Sequence, residues 1–175
     1  MDPVIELVVC YALALLWFSA AIQKILFFER FSVTLNEYRL LPESAVAISS
    51  VAVAGLEIIL GIGLLIPLTR LSAFLGSAGL LGIYAAAIGV NLMRGRRHID
   101  CGCMGPVRQS LSGWLVWRNI LVAGMALICL VPVRSRDLSW IDGVSIVAAV
   151  GVLALVYVTV NQLIFNAPEL ARLRR

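Results

Sequence analysis

Residues 45–67 read AVAISSVAVAGLEIILGIGLLIP, and residues 71–93 read LSAFLGSAGLLGIYAAAIGVNLM. Pro67, Leu68, Thr69 and Arg70 form the junction between them. A helix needs about 20 apolar residues to cross the hydrocarbon of a bilayer, and each run reaches that length. In lipid the backbone must satisfy its own donors and acceptors, so such a run is helical. A junction this short makes the two runs an antiparallel transmembrane hairpin.

Three further runs of the same kind lie at 4–27, 113–133 and 143–165. The chain of 175 residues is 61% hydrophobic and 14% charged, with a mean hydropathy of +0.98. A soluble domain is roughly half apolar and a quarter charged, and a small soluble fold could not bury such an excess. These figures exclude a soluble globular protein, a disordered chain and a disulfide-rich secreted scaffold. The expectation is an all-α, polytopic membrane helical bundle with about five transmembrane helices, forming a single domain over 1–175. The net charge of +4 does not point to nucleic acid, because in a membrane protein the positions of Lys and Arg matter more than their sum.

The chain starts Met1-Asp2-Pro3-Val4-Ile5-Glu6. A signal peptide wants a basic start and a short apolar core, so the first span is expected to be retained. Between the first two spans, Phe28, Phe31, Leu35 and Tyr38 recur at helical spacing, with Glu29, Arg30, Glu37 and Arg39 off that stripe. This predicts a short amphipathic interfacial helix within 28–44, resting on lipid or packed on the bundle. Gly76, Gly79 and Gly82 in the third span are read as helix-packing positions, because no strand or polar loop accompanies them.

Five spans place the termini on opposite sides. Side B, opposite the N-terminus, holds Lys24, Arg30, Arg39, Arg94, Arg96, Arg97, Arg108, Arg118, Arg172, Arg174 and Arg175, against Arg70, Arg134 and Arg136 on side A. By the positive-inside rule side B is cytoplasmic.

The loop at 94–110 holds Cys101, Cys103 and the lone histidine, His98, in the run Asp100-Cys101-Gly102-Cys103-Met104-Gly105. Two cysteines flanking one glycine suggest redox chemistry. A disulfide between them would require a sharp bend at Gly102 and would be strained, hence easily reduced. Arg96 and Arg97 would favour a thiolate, and Asp100 could accept a proton. Two other readings stay open: a metal site formed by His98, Asp100, Cys101 and Cys103, and a turn with inert thiols. Cys10 and Cys129 lie within spans near side A. They read as small buried residues, with a second thiol pair as the alternative.

Glu57 falls near the middle of the second span, where a carboxylate is costly and points to function. Lys24 is its expected ion-pair partner. Gln23, Asn91, Arg118, Asn119, Asn161 and Gln162 also sit towards side B. Together these residues predict a polar pocket beneath the cysteine loop, suited to a proton route, a quinone headgroup or a peptide segment, or simply tying helices together.

Taken together, Lys24 with Phe27, Phe28 and Phe31, Tyr38-Arg39-Leu40-Leu41-Pro42, Glu57 with Gly61, Arg94-Gly95-Arg96, Asp100-Cys101-Gly102-Cys103-Met104-Gly105 and Arg118-Asn119 resemble the MauE family, a branch of the DoxX-like membrane proteins. Met104 stands where that family usually has an aromatic. The resemblance implies a bacterial inner (cytoplasmic) membrane location and a role in maturing a periplasmic protein, the methylamine dehydrogenase small subunit. It also implies a thioredoxin-like partner of the MauD type.

By that analogy Cys101 and Cys103, aided by Asp100, exchange electrons with the partner, while Lys24, Glu57, His98, Arg118 and Asn119 support them. No metal is assigned, no nucleic acid is expected, and a quinone is the candidate electron acceptor. The rival readings are a non-enzymatic assembly or export factor and a metal-binding protein using the His98–Cys103 loop. A periplasmic partner conflicts with the charge distribution, so the side of the cysteine loop is left open.

Overall fold

The computed structural model describes residues 2–96, 99, 111–132 and 136–173, without the side chains of 165 and 167–173. Among the described residues all six elements are helices: α1 Pro3–Leu26, α2 Phe28–Glu37, α3 Glu43–Leu65, α4 Arg70–Met93, α5 Gly113–Ile128 and α6 Trp140–Leu173. Segments long and apolar enough to cross a membrane lie in α1, α3, α4 and α6, and α5 is a shorter apolar helix. The chain is therefore a multi-pass helical membrane protein. The residues cluster into two compact units, Leu13–Pro132, and Met1–Ala12 with Val133–Arg175.

Within the unit Leu13–Pro132, the hairpin expected at 67–70 is present. α3 ends in an extended residue, Ile66. Its last carbonyls are satisfied by side chains, as helix ends require: Thr69 Oγ1 donates to Gly63 O at 2.9 Å and Arg70 Nε to Leu64 O at 3.3 Å. α5 is shorter than the expected 113–133. It tightens into i→i−3 bonds, Leu130 N to Leu127 O and Val131 N to Ile128 O, because the residue preceding Pro132 is disfavoured in the α conformation.

Phe27 alone separates α1 from α2, with φ −118° and ψ 43° breaking the helix. α2 packs on α3, where Ser32 Oγ donates to Ser50 Oγ at 3.2 Å. Its inward side carries Phe31, Thr34, Leu35 and, just past the helix, Tyr38. Phe28, placed on that stripe from the sequence, is instead exposed. Thr34, off the expected stripe, is the buried residue of α2.

Of the three glycines expected to pack, only Gly76 does. A Cβ there would lie 2.6 Å from Leu60 Cδ2, whereas at Gly79 and Gly82 a Cβ would meet nothing within 4 Å among the described residues. A close approach not singled out for packing occurs at Gly61, where a Cβ would lie 3.0 Å from the Phe18 ring.

In the other unit, α1 and α6 begin with side-chain caps. Asp2 Oδ1 accepts from Val4 N at 2.8 Å, with Pro3 pre-set for the first helical turn. Ser139 and Asp142 form a reciprocal capping box on α6: Ser139 N donates to Asp142 Oδ2 at 2.8 Å and Asp142 N to Ser139 Oγ at 3.4 Å. Arg136 bridges Asp2 and Asp142, at 3.2 Å and 2.9 Å. α6 starts before the expected 143 and continues past 165.

Candidate functional site

Polar residues recur every seven positions on three of the spanning helices: Trp17 and Lys24 on α1, Ser50 and Glu57 on α3, and Ser77, Tyr84 and Asn91 on α4. Seven residues are close to two helical turns, so each set shares one face. The structure turns these faces towards each other. Trp17 Nε1 donates to Ser77 Oγ at 2.8 Å, and the Trp17 and Tyr84 rings meet edge to face at 6.4 Å.

At the centre of this arrangement Lys24 Nζ lies 2.7 Å from Glu57 Oε1. The Tyr84 hydroxyl donates to the same oxygen, also at 2.7 Å. Glu57 is 0% exposed and Lys24 4%. The ammonium also sits over two aromatic faces, 5.1 Å from the Phe31 centroid and 5.6 Å from the Tyr84 centroid, a favourable placement for a desolvated cation. Glu57 Oε2 is buried with no hydrogen-bond partner among the described residues. Among the described residues, both donors to the carboxylate therefore converge on one oxygen. Gly61 lies one turn beyond Glu57 on α3 and admits the Phe18 ring of α1 at this level.

Towards the other end of α4, Tyr38, Ile88, Leu111 and Leu115 form a buried apolar cluster, against which Ile99 and Leu92 pack. α4 ends in a Schellman motif: Arg96 N donates to Asn91 O and Gly95 N to Leu92 O, each at 3.0 Å. Gly95 adopts φ +75° there, a left-handed conformation that glycine takes without steric cost. Past this stop, Leu111 N donates to Ile99 O at 3.2 Å, closing the base of the segment 100–110. His98, Asp100, Cys101 and Cys103 lie outside the described residues, so both the thiol-pair and the metal readings concern positions whose flanks alone are seen.

Arg118 and Asn119 are buried on α5. Asn91 is fully buried; its Nδ2 donates to Ala87 O at 3.0 Å. Asn91 Oδ1, Asn119 Nδ2 and Trp114 Nε1 find no partner among the described residues. Asn161 is buried and donates to Tyr157 O at 2.7 Å, whereas Gln162 is exposed. Cys10 and Cys129 are buried thiols.

Because Lys24 and Arg118 are inside the fold, neither presents its charge at a membrane surface. Leaving these two out changes the split expected from the sequence from eleven against three to nine against three. Trp17, Ser77, Tyr84 and the Phe31 ring join the buried cluster without having been expected there from the sequence. The seven-residue polar spacing was the signal that could have found them.

The model of the family "Methylamine utilisation protein MauE" matches residues 2–132, which include α1 to α5. The chain is 32% identical over 166 residues to methylamine utilization protein MauE of Methylophilus methylotrophus, an alignment covering 93% of this chain and 87% of that protein. It is 35% identical to the MauE protein of Methylorubrum extorquens, covering 75% and 73%. It is 34% identical over 116 residues to that of Paracoccus denitrificans, covering 66% of this chain and 62% of that protein's length. No solved structure matches the chain. The chain belongs to the methylamine utilisation protein MauE family.

Proposed function

We propose that this protein serves methylamine utilisation as a bacterial inner-membrane thiol–disulfide component, assisting maturation of a periplasmic protein together with a thioredoxin-like partner of the MauD type. The observation that carries the reading is the Cys101-Gly102-Cys103 run between two fixed points, the helix stop at Gly95 and the Ile99–Leu111 bond. A disulfide closed across a single glycine would be strained, which suits exchange with a docking protein rather than fold stabilisation.

In this scheme a thiolate of the partner attacks the Cys101–Cys103 disulfide and forms a mixed disulfide. The partner's second thiol then displaces it. The partner dithiol is oxidised by two electrons, and Cys101 and Cys103 leave as two thiols. Reoxidation requires a two-electron acceptor, for which a membrane quinone is the proposed class. The buried N–H groups of Trp114 and Asn119, without acceptors among the described residues, are donors of the kind a quinone carbonyl takes.

The test is Cys101→Ser and Cys103→Ser in cells dependent on the pathway, with membrane levels of the protein measured in parallel. Maturation should be lost while the protein remains in the membrane. Full maturation with both cysteines replaced would transfer the reading to a non-enzymatic assembly factor. Labelling intact cells with a membrane-impermeant thiol reagent, with and without prior reduction, assigns the side. A variant retaining Cys101 and Cys103 alone should label outside, after reduction, if exchange with a periplasmic partner is direct.

A further inference from the structure

We infer that the turn after α2 holds the headgroup of an aminophospholipid, the Arg39 guanidinium taking its phosphate and the Glu37 carboxylate its ammonium. Pro42 precedes α3, and the spanning segment of α3 begins at Glu43, so this turn lies at a membrane boundary. Tyr38 anchors it, buried against Ile88, Leu111 and Leu115. Glu37, Arg39, Leu40 and Leu41 around that anchor are exposed.

Arg39 closes α2 in the left-handed conformation, at φ +48°. Its N–H donates to Asn36 O at 3.0 Å, at a place in a helix stop that glycine or asparagine normally fills. α4 uses Gly95 at the corresponding place in its own stop. Among the described residues, Arg39 is the one residue other than glycine with a positive φ, and an L side chain bears a steric cost there. A cation near an exposed helix C-terminus is favoured, but by less than that conformation costs. The outlier therefore points to a role for the side chain.

Glu37 is placed unfavourably in the opposite sense. It lies in the last turn of α2, where the helix dipole favours a cation over a carboxylate. Among the described residues neither Glu37 nor Arg39 is in an ion pair. Glu43, the next acidic residue, is in the first turn of α3, where the dipole favours it.

Two opposite charges, each unfavourable to its own helix end, thus stand two residues apart at the membrane boundary. A guanidinium offers a phosphate parallel N–H donors, and a primary ammonium donates to a carboxylate. Phosphatidylethanolamine carries both groups on one short link. Phosphatidylglycerol lacks the ammonium, and the choline of phosphatidylcholine has no N–H to donate. Leu40 and Leu41 offer apolar contact to the acyl chains beneath the headgroup.

The experiment presents the purified full chain in detergent with equal amounts of these three lipids and reads the retained lipid by native mass spectrometry. Phosphatidylethanolamine should be retained several-fold over the other two, and soluble phosphoethanolamine should not displace it. Glu37→Gln should remove the preference over phosphatidylglycerol. Arg39→Gly should lose the lipid yet melt, lipid-free, at the same or a higher temperature, because glycine relieves the left-handed strain. Equal retention of the three lipids by the wild type would overturn the proposal, and displacement by phosphoethanolamine would assign the site to a free phosphate ester instead. A lower melting temperature of lipid-free Arg39→Gly would overturn it by making Arg39 a residue of the fold alone. Unchanged lipid retention in Arg39→Gly with loss of client maturation would overturn it by assigning Arg39 to a protein partner.

Discussion

The Leu111 amide donates to the Ile99 carbonyl at 3.2 Å, and Cys101 and Cys103 lie in the segment between these residues. The same Leu111 side chain is buried against Tyr38, Ile88 and Leu115. The base of the cysteine segment is thus part of the helix core. Leu111→Ala should destabilise the protein by about 2–5 kcal/mol, as for other buried large-to-small changes. Unfolding of the reconstituted protein by denaturant checks this, and a loss well under 1 kcal/mol would mean that the segment's base is peripheral.

The Lys24–Glu57 pair gives a second expectation. Removing one member strands a buried charge, so Lys24→Met should cost about 3–5 kcal/mol. Replacing both with apolar residues, Lys24→Met with Glu57→Leu, should cost less than either single change. The double-mutant cycle is read by unfolding in detergent micelles. Additive losses would show that the two groups are not energetically coupled.

Gly95 tests how the helix stop sets the start of the cysteine segment. At φ +75° a side chain is strained by about 1–2 kcal/mol, although a Cβ would meet no neighbour within 4 Å among the described residues. Gly95→Ala should therefore lower stability by about 1–2 kcal/mol, and Gly95→Asn by less. Equal stability of the Ala variant and wild type would indicate that α4 ends differently in the membrane.

At the start of α1, the Asp2 carboxyl is held below its ordinary value of 3.8, first by the Val4 N–H and then by Arg136. A depressed carboxylate pKa stabilises the fold above the unfolded value, and that contribution is lost as pH falls through the folded one. The first turn of α1 should hold at neutral pH and loosen below about pH 3.8. In Asp2→Asn it should lack this dependence. The Val4 amide resonance followed by NMR reports it, and an unchanged acid titration in the variant would exclude Asp2 as the group responsible.

The membrane helices were legible because an apolar run of spanning length has one backbone solution in lipid. The Lys24–Glu57 ion pair was legible because a lysine and a carboxylate in neighbouring spans have few other partners. Tyr84 was not, since a tyrosine in an apolar run does not announce whether it faces lipid or protein. Gly79 and Gly82 failed as packing positions for the same reason: small residues permit close approach but do not summon a neighbour. The early end of α5 could have been read from Pro132, which hydropathy alone overlooks.

The sequence by itself determined the helical membrane architecture, the hairpin at 67–70, the acidic and cationic residues that must find shelter, and the Cys-Gly-Cys run. Hydrophobic length and local backbone chemistry decide these within a single segment. Tertiary structure alone decided that Lys24 and Tyr84 share one oxygen of Glu57, the other having no partner among the described residues. It also decided that Phe31 closes over the ammonium and that Ile99 and Leu111 meet across the cysteine segment. Those relationships depend on the rotation and depth of each helix against its neighbours, which are set by packing between segments distant in sequence.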